Sequence, residues 1–296
     1  MWNVGGGPIP LQARKRPSMI RIGPAGWSYD DWNGIVYPAG ARKFDPLEYL
    51  ARHFDTIEVN SSFYRTPPPT HSKSWVRRVA ANPDFRFTTK LFKGFTHDAG
   101  FPSPAEVAAF RRYLEPLAGE GRLGAVLAQY PWSFRNTESA VHRISETAEA
   151  LAPYPLVIEV RHGGFDDSHF FALLERLGVG FANLDQPVIG ESLGPTAVAT
   201  APTRYIRFHG RNYAKWFHHE EAWERYDYLY SEEELEPRAR TVTDLAQQGD
   251  VYVITNNHFR GQAIVNALDL RRAVGQPVEV PAPLAEHYGA RLGRES

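Results

Sequence analysis

Short runs of branched apolar residues recur along this chain with helix-length segments between them, and this alternation constrains the fold more than any other feature of the sequence. Eight runs predict strands, at 19–26, 54–59, 85–91, 123–129, 155–160, 179–185, 204–210 and 250–257. Seven further segments predict helices, at 45–53, 70–82, 104–117, 137–151, 168–177, 231–248 and 259–274. The segment 186–203 is rich in Pro, Gly and Thr, so its unit is expected to have a reduced helix or none.

Eight strands that alternate with helices predict an α/β protein built as a single (β/α)8 barrel of the TIM type, with one helix reduced or missing. An open, doubly wound sheet is the structural alternative. It has less support because no G-x-G-x-x-G turn follows the first strand, and because no G-x-x-x-x-G-K-[ST] phosphate loop occurs in the chain.

The barrel domain is expected to occupy residues 19–285. Met19 directly precedes IRIGPAGW, where strand-like sequence begins, so residues 1–18 are expected to be a disordered extension and residues 286–296 a C-terminal tail. The chain has no cysteine, which excludes disulfides, thiolate catalysis and cysteine-ligated metal sites. No apolar run approaches the roughly 20 residues of a membrane span and no secretory signal is present, so a cytoplasmic protein without membrane contact is expected.

Polar residues lie at the predicted ends of most strands, where TIM barrels have their active sites. Because side chains alternate between two faces of a strand, three pairs each share a face: Glu58 with Asn60, Glu159 with Arg161, and Arg207 with His209. Facing the helices would bury these charges in an apolar layer, which is unfavourable, so they are expected to face a polar cavity at the barrel mouth. The strand ends also supply Lys90, Gln129, His162, Asp185, Asn256, Asn257 and His258.

The charged residues at the strand ends have two interpretations. In the first, Glu159 with Arg207, or Glu58 with Lys90, forms a structural ion pair inside the barrel. In the second, the set serves chemistry or ligand binding, which is favoured because buried ion pairs add little net stability. The formal net charge of −1 gives no support for a globally basic nucleic-acid binder.

Six motifs, in order along the chain, are similar to those of one known family: FDTIEVNSSFYRTP, LAQYPWSF, VIEVRH, IRFHGR, RYDYLYSEEEL and NNHFRGQAIVNALDL. From about residue 20 to residue 275 the chain resembles the YecE-like family, catalogued as domain of unknown function seventy-two. The resemblance implies a TIM-type barrel and no established reaction. The recurring polar residues of the family match Glu58, Asn60, Tyr64, Lys90, Thr96, His97, Gln129, Glu159, Arg161, His162, Asp185, Arg207, His209, Gly210, Arg211, Asn256 and Asn257.

One departure from the family pattern follows His162. The segment RHGGF has Gly163 and Gly164 where the family often has a tryptophan, so a stacking role there would fall to Phe165.

The arginine, lysine and asparagine side chains at the strand ends suit an anionic ligand, since arginine contacts phosphate or carboxylate through two parallel hydrogen bonds. The expected catalytic residues are Glu58, Lys90, Glu159, Arg161, His162, Arg207 and His209. The expected substrate-binding residues are Asn60, Tyr64, His97, Gln129, Asp185, Arg211, Trp216, Asn256, Asn257 and His258. Together they predict hydrolysis or isomerisation of a small phosphorylated or otherwise anionic compound, without a cofactor.

The stretch 211–230 is too long and too aromatic for a simple turn after the seventh strand. Its aromatic residues either form a lid that offers stacking faces to a ligand or cap the barrel against the following helix. Trp216 is the candidate lid residue.

Two other classes of function remain open. The first is a metal-dependent phosphodiesterase or nuclease, with Zn or Mn bound by Glu58, Glu159, Asp185, His209 and His258. The second is a non-catalytic protein that binds nucleic acid or a small anion. A glycoside hydrolase has less support because a neutral sugar gives no reason for the arginines and lysine. The sequence does not indicate which oligomeric state the protein adopts.

Overall fold

Eight parallel strands form the wall of a barrel in the structure, a computed structural model that describes residues 18–40, 43–221 and 223–293. The strands are β1 (Ile20–Pro24), β2 (Thr56–Val59), β3 (Arg86–Lys90), β4 (Leu123–Gln129), β5 (Leu156–Glu159), β6 (Gly180–Asp185), β7 (Arg204–Phe208) and β8 (Val251–Thr255). They are ordered β1-β8-β7-β6-β5-β4-β3-β2. Each strand lies inside the range that the apolar runs predict.

The seam between β1 and β2 closes through a single bridge. Ala25, directly after β1, pairs with Glu58, and the backbone N–H of Gly26 donates to the carbonyl oxygen of Glu58 at 2.8 Å. The predicted TIM-type barrel is therefore confirmed, with a short seam where it closes.

The helices pack outside the strands and begin with local signals that the sequence carries. They are α1 (Pro46–His53), α2 (Pro69–Arg78), α3 (Pro104–Gly119), α4 (Glu138–Leu151), α5 (Ser168–Leu177), α6 (Glu232–Ala246), α7 (Gln262–Ala273) and α8 (Ala282–Leu292). Ser103 and Ser231 begin α3 and α6 with capping boxes, in which serine and glutamate satisfy each other's backbone N–H. No helix in the described part of the chain is long and apolar enough to cross a membrane.

Two segments bear on the predicted domain layout. Residues 186–203, between β6 and β7, contain no helix, as their composition predicts. Helix α8 crosses the predicted boundary at residue 285, and its Leu292 is buried. The predicted N-terminal extension lies, apart from Ser18, outside the described residues.

The two faces of the strands have different surroundings, as the alternation predicts. The main apolar core, shared with the helices, contains the residues predicted to face outward: Ile57, Val59, Ile158, Val160, Ile206 and Phe208. A smaller apolar cluster fills the barrel interior and includes Leu127, Tyr205 and Tyr252. The inward-facing charges lie with this interior cluster and so meet one another across the barrel.

Replacing Gly23 by alanine is expected to lower the free energy of unfolding by about 3 kcal/mol, because the barrel seam has no room for a side chain there. A Cβ atom at Gly23 would lie 1.9 Å from the backbone oxygen of Thr56 on β2. Urea unfolding measures the loss. Gly119→Ala is the matched control, because a Cβ atom there meets nothing within 4 Å. Equal stability of the two variants would contradict this account of the seam.

Candidate functional site

A buried ion network occupies the centre of the barrel near the carboxyl ends of the strands. Arg207 on β7 donates through Nη2 to Oε1 of Glu58 at 2.6 Å and through Nη1 to Oε2 of Glu159 at 2.7 Å. The arginine side chain is 1% exposed and both glutamates are 0% exposed. Because buried charges require partners of opposite sign, Arg207 holds both carboxylates in place.

Arg161, two residues after β5, brings a second guanidinium to Glu159. Its Nε and Nη2 donate to Oε1 of Glu159 at 3.1 and 2.9 Å. Burial by itself would raise the pKa of the Glu159 carboxyl, but Arg207 and Arg161 hold that pKa well below its usual range. Glu159 is therefore ionised at neutral pH and forms ion pairs with both Arg207 and Arg161.

His209 lies beside the same carboxylate and is fully buried. Its Nε2 is 3.4 Å from Oε1 of Glu159, and its Nδ1 is 3.1 Å from the amide nitrogen of Asn256. An amide nitrogen only donates, so Nδ1 accepts from Asn256. Nε2 also lies 3.4 Å from Nη2 of Arg161 and 3.4 Å from Nη1 of Arg207. Burial, followed by the charges of Arg161 and Arg207, lowers the pKa of His209 to about 3. The ring is therefore neutral at physiological pH.

Lys90, the last residue of β3, has no polar partner among the described residues. Its Nζ lies 4.4 Å from the ring centroid of Phe63, and it forms neither an ion pair nor a hydrogen bond with any residue that the structure describes. The side chain is partly exposed. Burial, followed by the positive charge of Arg207, lowers the pKa of Lys90 to about 8. About one tenth of the amine is therefore unprotonated at pH 7.

The central cluster carries more positive than negative charge. Three cations, Lys90, Arg161 and Arg207, face two carboxylates, Glu58 and Glu159, which leaves a net charge of +1 because His209 is neutral. An excess of positive charge in a cleft with protein walls attracts anions.

A cavity of about 220 Å³ adjoins this cluster. Its volume is below the roughly 300 to 1,000 Å³ of pockets for drug-sized ligands, so it suits a smaller molecule. Trp216 is 5% exposed, with its ring 5.8 Å from Cζ of Arg161 and 6.2 Å from the ring of His209. The cavity is lined by His97, Gln129, Pro131, Trp132, Arg161, Gln186, Ser192, Trp216, Phe217 and Arg225.

A wider groove of about 580 Å³ lies next to the cavity, and the two share His97 and Pro131. Arg143 in this groove donates to the carbonyl oxygens of Gly94 and Phe95, so it fixes the loop after β3.

The structure brings many of the predicted site residues to one place. Gln129 accepts from Nη1 of Arg207 at 3.5 Å, and Asn60 lies beside the hydroxyl of Tyr29. The predicted residues in or beside the cavity and the central cluster are Glu58, Asn60, Lys90, His97, Gln129, Glu159, Arg161, Arg207, His209, Trp216 and Asn256.

Asp185 and Arg211 form a separate cluster instead of joining this one. Arg211 donates from Nε and Nη2 to the two carboxylate oxygens of Asp185, both at 2.7 Å. Arg238 on α6 and the hydroxyl of Tyr230 also contact Asp185, at 2.8 Å each. Arg211 was expected to bind substrate, but its guanidinium contacts Asp185 and Glu234 and lies apart from the cations of the central cluster. Glu234 is on α6, so this cluster connects β6 and the loop after β7 to α6.

Asn257 and His258 make structural contacts that hold the loop after β8 in place. The amide nitrogen of Asn257 donates to the carbonyl oxygen of Tyr228 at 2.7 Å and to Oδ1 of Asn266 at 2.8 Å. His258 stacks on Tyr29 with ring centroids 4.4 Å apart, and burial lowers its pKa to about 4. His258 is therefore a neutral, structural imidazole.

His162 and Tyr64 lie outside the cavity. Nδ1 of His162 accepts from the backbone N–H of Gly164 at 3.0 Å, and its Nε2 lies 3.2 Å from Oε2 of Glu191. Its ring packs against Trp132, which lines the cavity, so His162 supports the cavity wall. Tyr64 is 73% exposed.

Some residues of this site are not among those predicted from the sequence. The hydroxyl of Tyr205 donates to Oε2 of Glu58 at 2.9 Å and lies 2.7 Å from Oγ1 of Thr88. Tyr205 has the same strand parity as Arg207 and His209, so a signal for it was present. Trp132 and Gln186 follow strand ends, where no periodicity marks the direction of a side chain.

The five residues proposed to bind a metal lie in three different parts of the structure. Glu58, Glu159 and His209 lie in the central cluster, Asp185 lies with Arg211, and His258 lies against Tyr29. Within the described ranges, no group of three or more His, Asp or Glu is arranged to hold a metal ion.

Comparison with known proteins shows the family. The family model described as "Protein of unknown function DUF72" matches residues 21–287. The protein belongs to the DUF72 family. YunF of Bacillus subtilis is 30% identical to this DUF72 protein over 264 residues, which cover 84% of this chain and 92% of YunF. YecE of Escherichia coli strain K12 is 30% identical over 149 residues, 50% of each chain.

Solved structures of DUF72 proteins have the same fold. A DUF72 protein of Thermotoga maritima is 34% identical, with a TM-score of 0.77, and the match covers 87% of this chain and 100% of that one. A DUF72 protein of Enterococcus faecalis is 25% identical, also with a TM-score of 0.77, covering 88% and 97%. The predicted resemblance to the YecE-like family is therefore confirmed. The family description gives no reaction, so the function has to be argued from the site.

Proposed function

We propose that this DUF72 protein is an enzyme that binds a small phosphorylated or otherwise anionic compound at the barrel mouth and acts on it by general acid/base chemistry. The main support for the proposal is that Arg161 lines the cavity with one of its hydrogen-bond donors unused among the described residues. This arginine lines the cavity and is 12% exposed, and its Nε and Nη2 contact Glu159. Its Nη1 donates to no residue that the structure describes, so it remains to bind a ligand.

The positive charge around the cavity supports an anionic ligand. Both carboxylates of the cluster pair with Arg207, and Lys90 forms no ion pair with any residue that the structure describes. A phosphate or carboxylate group next to Arg161 would balance the net charge of +1, and arginine geometry suits such a group.

Lys90 is the proton carrier in this proposal. A pKa of about 8 lies close to the usual working pH, as general acid/base catalysis favours. Glu159 and His209 are less suited, since two guanidinium groups keep the first ionised and burial keeps the second neutral. Trp216 covers Arg161 and His209 and would keep water from the bound ligand. Hydrolysis and isomerisation both fit this arrangement.

The two alternatives keep weaker support. A metal-dependent phosphodiesterase would need carboxylates that the structure pairs with arginine, namely Glu58 and Glu159. A non-catalytic anion or nucleic-acid binder would use Arg161 in the same way but gives no reason for the lowered pKa of Lys90.

Replacing Arg161 by glutamine is expected to weaken anion binding about tenfold, the effect of losing one charged hydrogen bond of about 1.4 kcal/mol. Isothermal titration with inorganic phosphate and with glycerol 3-phosphate at pH 7 measures it. Arg112→Gln, which changes an exposed arginine on α3, is the matched control and is expected to bind as the wild type does. Absence of binding to either anion, or equal affinity of both variants, would overturn the proposal.

A further inference from the structure

Two arginines already supply the positive charge that an anionic ligand would need at the barrel mouth. Arg161 and Arg207 are permanently charged, and both contact Glu159 within the cluster. A lysine that served only as a third positive charge would gain from a carboxylate partner, yet Lys90 has none among the described residues. Among the residues that the structure describes, its amine lies against the face of Phe63 and forms no hydrogen bond or ion pair.

Phe63 and His97 place this amine next to the cavity. The Phe63 ring contacts Nζ of Lys90, and the ring of His97 packs edge-on against the same phenyl ring with centroids 4.9 Å apart. His97 lines the cavity together with Arg161. Burial and then the charges of Lys90 and Arg161 lower the pKa of His97, which shows that both cations lie near it. Lys90 therefore lies near His97, which lines the cavity together with Arg161.

We propose that Lys90 is a nucleophile that forms an imine with the carbonyl carbon of a small aldehyde or ketone whose phosphate or carboxylate group is bound by Arg161. This inference rests on the proposed function and narrows its substrate class to anionic carbonyl compounds. It also favours isomerisation or another reaction at the carbon next to the carbonyl over hydrolysis.

The chemistry balances without any further reactant. The unprotonated amine adds to the carbonyl carbon, and a C–N bond forms. The C–O bond then breaks, and one water molecule leaves with the carbonyl oxygen and the two hydrogens of the amine. The imine nitrogen takes up the proton that the lysine ammonium released when it became the free amine. The protonated imine then withdraws electrons from the neighbouring carbon, so a proton there becomes acidic. Lysines that are desolvated or lie beside another cation are the ones that act as nucleophiles in this way.

Reductive trapping tests the proposal on the full chain. The protein is incubated with glyceraldehyde 3-phosphate and sodium cyanoborohydride, and peptide mass spectrometry locates the adducts. At pH 7.5 the free amine of Lys90 is about 200-fold more abundant than that of an ordinary lysine, so labelling at least about tenfold faster than at exposed Lys73 is expected. Uncharged glyceraldehyde is expected to label Lys90 far more slowly than the phosphorylated probe.

The controls separate this inference from the proposed function. Lys90→Arg keeps the positive charge but lacks a primary amine, so it is expected to bind glycerol 3-phosphate and form no adduct at residue 90. Labelling of Lys90 at the rate of Lys73, or at equal rates with both probes, would overturn the imine. If glycerol 3-phosphate binds through Arg161 but no adduct forms, the imine alone fails. If glycerol 3-phosphate does not bind, the proposed function fails as well.

Discussion

Replacing Arg207 by methionine is expected to lower the free energy of unfolding by about 3 to 5 kcal/mol, the usual loss when one partner of a buried ion pair is removed. The variant leaves Glu58 and Glu159 inside the barrel, where both are 0% exposed. Arg161 still contacts Glu159, but among the described residues Glu58 keeps only the hydroxyl of Tyr205 as a side-chain hydrogen-bond partner. Urea unfolding at pH 7 measures the loss.

The same experiment includes a test of the cause. If unpaired charge is responsible, adding Glu58→Gln and Glu159→Gln to the Arg207→Met variant should recover a large part of the loss. Lowering the pH should also narrow the difference from the wild type, because burial without a cation raises a carboxyl pKa and favours the protonated folded state. Arg112→Met, at an exposed position, is the control and should change stability by less than about 0.5 kcal/mol. If Arg207→Met lowers the free energy of unfolding by less than about 1 kcal/mol, Arg207 does not neutralise the two buried carboxylates as described.

This result decides how mutants of the site are interpreted. A variant of Arg207 or Glu58 that loses activity has also lost a buried ion pair, so its inactivity does not identify a catalytic group. Arg161 and Lys90 are more informative positions, since both are partly exposed and neither is the main partner that neutralises Glu58.

The strands and their inward faces were predictable because they depend on local patterns. A run of branched apolar residues marks a buried strand, and alternation assigns each neighbour to one face. Glu159 and Ile158 are adjacent in sequence, and the structure places the first in the ion network and the second in the outer core. Such information lies within a few residues of the chain.

The pairing of the charges was not predictable because it depends on how the barrel closes. Glu58 pairs with Arg207, 149 residues away, and not with Lys90 as one interpretation of the sequence suggested. Arg211 follows the same strand as Arg207 but turns to Asp185. Strand parity gives the face of a side chain, whereas its partner follows from the curvature of the sheet and from loop conformation. The absence of a described partner for Lys90 could be seen only in three dimensions.

Lowering the pH from 7 to 4 is expected to remove about 3 kcal/mol of stability through His209 alone. The folded state holds the pKa of this ring at about 3, below the value of roughly 6.5 in the unfolded chain. The unfolded state therefore takes up the proton first, so the contribution is complete above pH 6.5 and is lost as the pH falls towards 3. Glu159 adds little in this window, because its pKa is well below the usual carboxyl range and its contribution is lost at lower pH.

A matched pair of variants isolates the contribution of His209. Urea unfolding at pH 7, 6, 5 and 4 should show a smaller decline for His209→Asn than for the wild type, while His169→Asn, at a side chain that is 96% exposed, should follow the wild type. His258 also titrates in this window, so the variant keeps part of the decline. Parallel curves for all three proteins would mean that His209 takes up its proton in the folded state. A flatter curve for His209→Asn would mean that His209 stays neutral in the folded state beside Glu159, Arg161 and Arg207, and would support Lys90 as the group that changes charge in the proposed reaction.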